Sequence, residues 1–130
     1  MCGASAEGVE VARERGVRAA RQSAVLAAIR RHAGEPGLDP ARLATQFGLS
    51  VRYLHRLLEP TGRSFAQHLL DRRLDRAACM LRDPACVHLR IAEIAARAGF
   101  SDISNFNRNF RHAFGDTPYG VRVRAARQAQ

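Results

Sequence analysis

The sequence predicts an all-α fold of about seven helices, in which two helix-turn-helix units are joined by one long helix. Three observations predict it. No stretch sustains the apolar–polar alternation of a strand, and β-branched residues are sparse. Helix start and stop signals recur along the whole chain. A helix–turn–helix pattern near residue 43 also returns some fifty residues later.

The elements follow in order. Residues 1–16 are rich in Gly, Ala, Glu and Arg, weakly patterned, and read as a flexible tail or linker remnant, with partial helix as the alternative. From residue 17 to about 33 an amphipathic helix is expected, with Val25, Leu26 and Ile29 on its apolar side; Gly34-Glu35-Pro36-Gly37 stops it. Asp39-Pro40 starts the next, because Asp caps and Pro suits the first helical position. Leu43 and Ala44 point inward, and Gly48 ends it. Ser50 caps a helix running to about Glu59, closed by Pro60-Thr61-Gly62. These elements form a first unit over residues 17–63. Ser64-Phe65-Ala66-Gln67 is a capping box that opens the longest helix, to about Arg82. Phe65, Leu69, Leu70, Leu74, Ala77, Ala78 and Leu81 form its apolar stripe, and residues 64–82 are the linker. After Asp83-Pro84 and a loop to about Arg90, Ile91 begins a short helix stopped at Gly99. Ser101 or Asp102 caps the next, which runs to Phe114 and Gly115. Thr117-Pro118 starts the last helix, with fraying expected past about Arg124. The second unit spans residues 83–130.

The repeat makes the architecture specific. Leu43-Ala44-Thr45-Gln46-Phe47-Gly48-Leu49-Ser50 matches Ile94-Ala95-Ala96-Arg97-Ala98-Gly99-Phe100-Ser101 at an offset of 51. Leu54, Arg56 and Leu58 match Phe106, Arg108 and Phe110 at 52, and Gly62-x-Ser64 matches Gly115-x-Thr117 at 53. Each slip falls in a turn or at a helix end. In each copy a small residue (Ala44, Ala95) lets two helices cross. A glycine (Gly48, Gly99) makes the sharp turn, an apolar residue (Leu49, Phe100) plugs it, and a Ser follows. On the second helix of the first copy, Leu54, Leu57 and Leu58 share one side while Arg52, His55, Arg56 and Glu59 face away. In the second copy Phe106, Phe110, Ala113 and Phe114 face inward. Ser104, Asn107, Arg108 and Arg111 face out, with Ile103 on the border. Such faces suit a DNA major groove: Arg pairs with guanine, Asn with adenine, and Ile meets a thymine methyl. His32, His68, His88 and His112 are scattered and read as surface residues.

Composition narrows the function. The formal charge is +9 and the pI about 11.2, from 21 basic residues that are all Arg. The excess points to a polyanionic partner, nucleic acid first. Arg in place of Lys fits codon bias in a GC-rich genome and carries no functional reading. Cys2, Cys79 and Cys86 are odd in number without a C-x-x-C pair, against a disulfide framework or structural zinc and in favour of a reducing cytoplasm. No apolar run approaches the roughly 18 residues of a membrane span, and the first residues lack a secretory pattern. No nucleophile–base pair, paired carboxylates or phosphate loop marks an enzyme, and no cofactor is expected.

Four stretches then carry a resemblance: Ile91-Ala92-Glu93-Ile94-Ala95; Gly99-Phe100-Ser101-Asp102; Phe106-Asn107-Arg108-Asn109-Phe110-Arg111; and Phe114-Gly115-Asp116-Thr117-Pro118. With Ser50 to Leu58 and Arg72-Arg73-Leu74-x-x-Ala77, they resemble the DNA-binding domain of AraC/XylS-type regulators, from about Leu38 to Arg122. The resemblance implies homeodomain-like units on double-stranded DNA. Arg52, His55 and Arg56 would read bases in one major groove, and Ile103, Ser104, Asn107 and Arg108 in the next. Arg63, Ser64, Arg111 and Thr117 would hold phosphates, and Asp116 could do so only through its amide. It further implies a bacterial, cytoplasmic, nucleoid-associated transcription activator with RNA polymerase as a second partner. Leu58 departs from the aromatic usual at its position, and Pro60 shortens that helix. Family members often carry an effector or dimerisation domain in front, and residues 1–16 are too short to be one. The unequal faces of the two units imply an asymmetric DNA site. The rival expectations are a helical protein-interaction module and a fragment with weak, non-specific DNA binding.

Overall fold

A computed structural model describes residues 6–129. Seven α-helices follow one another: α1 (Ala6–His32), α2 (Pro40–Phe47), α3 (Val51–Leu58), α4 (Phe65–Arg82), α5 (Ile91–Arg97), α6 (Ile103–Phe114) and α7 (Pro118–Gln128). Short 3-10 turns, Glu59–Thr61 and Pro84–Cys86, lead into and out of α4. Among the described residues there is no strand.

Local chemistry sets the boundaries. The Asp39 carboxylate accepts from the Arg42 N–H at 2.8 Å, the Ser50 hydroxyl from Tyr53 N–H at 3.0 Å, and Thr117 Oγ1 from Gly120 N–H at 3.0 Å. Each satisfies one of the donors that a helix start leaves without a partner. At α4 the capping box is complete: Ser64 Oγ accepts from Gln67 N–H at 3.2 Å, and Gln67 Oε1 from Ser64 N–H at 2.8 Å. Of the two candidates before α6, Asp102 is the cap.

Two apolar cores share α4. Val25, Ala28 and Ile29 of α1, Leu43 and Ala44 of α2, and Leu54, Leu57 and Leu58 of α3 close on Phe65 and Leu69. Leu74, Ala77, Ala78 and Leu81 of α4 instead face Ile94, Ala95, Phe100, Phe106, Phe110 and Val121. No polar or charged residue is buried among those described. Apolar burial at roughly 25 cal/mol per Å² is therefore the main cohesive contribution.

Four expectations need correction. The first helix begins at Ala6, not near residue 17, so residues 6–16 are helix and not flexible tail. Strong helix formers carry that stretch without a hydrophobic face, and every residue from 8 to 21 is exposed. Residues 1–5, with Cys2 and the absent secretory pattern, lie outside the described residues. Ala113 is exposed, because the last turn of α6 runs past the core and only Phe114 stays against it. His68 is half-buried and within hydrogen-bond reach of Thr61 Oγ1, at 2.8 Å. The final helix continues to Gln128.

Candidate nucleic-acid interface

The two helix pairs are built alike down to the backbone bond. Leu49 N–H donates to the Ala44 carbonyl at 2.9 Å and Gly48 N–H to Thr45 at 3.1 Å. Fifty-one residues later Phe100 N–H donates to Ala95 at 3.0 Å and Gly99 N–H to Ala96 at 3.1 Å. These bonds close the last turns of α2 and α5 with a glycine at positive φ, 67° for Gly48 and 109° for Gly99. The turn re-aims the chain, so α3 and α6 leave at an angle and present one face outward.

Those faces carry the residues expected there. On α3, Arg52, His55 and Arg56 are exposed opposite the buried Leu54, Leu57 and Leu58. On α6, Ser104, Asn107, Arg108 and Arg111 are exposed, Ile103 is 42% exposed, and Phe106 and Phe110 are fully buried. The Phe100, Phe106, Phe110 and Phe114 rings follow one another edge-on or tilted, with centroids 4.6–5.5 Å apart. They pack inside and are not available to stack on bases. Among the described residues, Arg52, Arg56, Arg108 and Arg111 make no ion pair and no side-chain hydrogen bond. Four guanidinium groups thus stand in solvent with all donors open.

The residues expected to hold phosphates are differently placed. The Ser64 and Thr117 hydroxyls are committed to capping. Arg63 meets Asp71 through two contacts, Nε to Oδ2 at 2.6 Å and Nη2 to Oδ1 at 2.9 Å, with about half of each side chain exposed. Asp116 accepts from the Thr117 N–H at 2.7 Å and pairs with Arg124 Nη2 at 2.8 Å. These two ion pairs occupy equivalent positions of the repeat, 53 residues apart, with the charges exchanged. The sequence reading did not see either pair, although the shared eight-residue spacing was a usable signal.

Two further residues brace α3. Gln22 Nε2 donates to the Leu57 carbonyl at 2.8 Å. Arg21 donates to Tyr53 OH at 3.2 Å and lies 5.7 Å from the ring centroid. Among the described residues no group of three His, Cys, Asp or Glu side chains could hold a metal ion. No described helix is long and apolar enough to cross a membrane.

Comparison with known proteins agrees with this geometry. A family profile described as a helix-turn-helix domain matches residues 43–124. The chain is 34% identical over 85 residues to the transcriptional activator NphR of Rhodococcus sp, covering 65% of this chain and 24% of that protein. It is 38% identical over 81 residues to the HTH-type transcriptional activator RhaS of Escherichia coli K12, covering 62% and 28%. The chain thus spans about a quarter of the length of these relatives. Among solved structures, the C-terminal domain of AraT, a response regulator from Geobacillus stearothermophilus, superposes with a TM-score of 0.69 at 28% identity, over 78% of this chain and 82% of that one. A DNA-binding transcriptional dual regulator from Escherichia coli K-12 gives 0.72 at 24% identity, over 82% and 92%, a likeness of fold alone.

Proposed function

The chain belongs to the AraC/XylS-type helix-turn-helix family, and we propose that it binds double-stranded DNA sequence-specifically, with α3 and α6 in successive major grooves. One observation carries the proposal: two equivalent turns present two exposed, unpaired arginine faces on opposite ends of a single helix. Arg52, His55 and Arg56 read one groove; Ile103, Ser104, Asn107 and Arg108 read the next. Arg63, Arg111 and the amides one and two residues after Ser64 and two after Thr117, in the first turns of α4 and α7, hold phosphates. The site is asymmetric, because an Arg/His face and an Ile/Ser/Asn/Arg face ask for different bases.

Geometry adds a requirement on the DNA. The 18 residues of α4 span about 27 Å, whereas successive major grooves on one face lie about 34 Å apart. If this linker sets α3 and α6 closer together than that, both insert only where the duplex bends, at a cost of order 1–6 kcal/mol that depends on its sequence. The protein acts as a transcription regulator in the bacterial cytoplasm, at the nucleoid. Activation through contact with RNA polymerase draws support from two relatives named as activators.

Selection of bound duplexes from a random pool tests this directly. The expected product is a non-palindromic motif of two parts about one helical turn apart. A pool that enriches no motif, or a single half-site, overturns the two-groove reading. A circular-permutation gel shift that finds straight DNA in the complex overturns the bending requirement.

A further inference from the structure

Not every arginine faces solvent. Arg73, half-buried in the middle of α4, lies on the seam between the two units. Its Nε donates to the Ala33 carbonyl at 2.9 Å and its Nη2 to the Glu35 carbonyl at 2.8 Å, with Pro36 O farther off at 3.5 Å. These carbonyls lie just past α1, where a helix end leaves acceptors without intrahelical partners. A planar fork with five donors reaches several such oxygens at once, which an ammonium does less well. Burial lowers the Arg73 pKa from its ordinary value, yet a guanidinium keeps its charge at neutral pH.

The second unit meets the same point. Gly99, in the α5–α6 turn, packs directly on it: a Cβ there would collide with the Ala33 carbonyl oxygen and stand 2.6 Å from Arg73 Nε. One turn along α4, Arg76 extends Nη2 toward the Arg97 carbonyl at 3.5 Å and lies against Gly34, where a Cβ would sit 2.7 Å from that nitrogen. The end of α1 and the second turn are therefore joined directly, to one side of the α4 axis. A lone helix bends softly; a second attachment off its axis braces it.

We propose that Arg73, seconded by Arg76, is a positioning residue that fixes the angle between the two reading helices and thereby selects the spacing of the two half-sites. The proposal rests on the two-groove reading for its DNA half only.

Two measurements on the full chain test it, using Arg73→Met, which keeps the stem and removes the donors. In the free protein, residual dipolar couplings of α2–α3 and of α6–α7 should fit one alignment frame in the wild type and two in the variant. On duplexes whose half-sites are moved by one or two base pairs, the wild type should prefer one spacing by about tenfold, and the variant by about twofold or less, with affinity for an isolated half-site unchanged. A variant that keeps one frame and the wild-type spacing preference overturns the proposal. A wild type indifferent to spacing overturns the two-groove reading and the spacing claim with it, while the frames still decide the clamp. Should Arg73→Met unfold by circular dichroism, Arg73→Lys and Arg76→Met carry both tests.

Discussion

Gly48 and Gly99 stand at the same place in the repeat, and replacing each with Ala should have very different results. At Gly48 φ is 67°, near the left-handed well, and no atom lies within 4 Å of an added Cβ. The cost is the conformational strain of an L residue, about 1–2 kcal/mol, offset by about 0.4–1 kcal/mol of lost freedom in the unfolded chain. The net destabilisation is therefore about 1.6 kcal/mol or less. At Gly99 φ is 109°, well outside that well, and the Cβ would meet backbone at Ala33 and the Arg73 stem. Strain of about 1–3 kcal/mol adds to about 1–3 kcal/mol for overpacking, and the Arg73–Ala33 hydrogen bond, worth about 1 kcal/mol, must lengthen. Less the same unfolded-chain offset of about 0.4–1 kcal/mol, the total is about 2–6.6 kcal/mol, a large share of a domain's ordinary 5–15 kcal/mol. Urea unfolding followed by circular dichroism reads the difference. With a slope of about 1.5 kcal/mol per M, Gly48→Ala should move the midpoint by about 1 M or less and Gly99→Ala by about 1.3 M or more. Equal shifts would show that the second turn does not touch the end of α1 in solution.

Three further predictions follow from the interface and its surroundings. Arg56→Ala and Arg108→Ala should each lose about 1–3 kcal/mol on the selected site and little on random duplex; equal losses by fluorescence anisotropy on both would contradict base reading. Asp71→Asn frees Arg63 from its ion pair. It should tighten binding to random DNA, whereas Arg63→Ala should make the slope of log K against log salt shallower by about 0.9, the increment for one phosphate contact; an unchanged slope in Arg63→Ala removes Arg63 from the phosphate contacts. His68 is held below its ordinary pKa of 6.5 by burial first and the Arg63 and Arg72 charges next, with Asp71 opposing. The unfolded chain then binds the proton more readily, so stability contributed by neutral His68 is present above about pH 6.5 and is lost as pH falls through that range. His68→Gln should flatten this part of the urea midpoint–pH curve, and a wild-type slope retained in the variant assigns the effect elsewhere.

The fold was legible wherever its cause is local. Asp39-Pro40, Ser50, Ser64 with Gln67, and Thr117-Pro118 act within four residues of themselves, so the sequence displays cause and effect together. The exposed faces of α3 and α6 were legible for the same reason, since helical phase separates Arg56 from Leu57 without knowledge of the partner helix. The start of α1 was not, because residues 6–16 form helix by propensity and carry no apolar stripe to announce it. Arg73 was hidden for a different reason. Its partners are main-chain carbonyls about forty residues away, and a carbonyl has no letter in the sequence. Asp71 is not legible because its role appears only once the turn before α4 brings Arg63 beside it.

The exchanged ion pairs limit how far the two units can be treated as interchangeable parts. Arg63–Asp71 and Asp116–Arg124 keep one bond at equivalent places but trade its ends. Grafting the short turn 62–64 onto 115–117, and the reverse, would set two arginines against each other at one junction and two acids at the other. A hybrid regulator assembled from such pieces must carry each turn together with the helix residue eight positions on. Symmetry at the level of the backbone is thus broken at the level of charge, and recombination between the halves of this chain is constrained to seams that the turns alone do not mark.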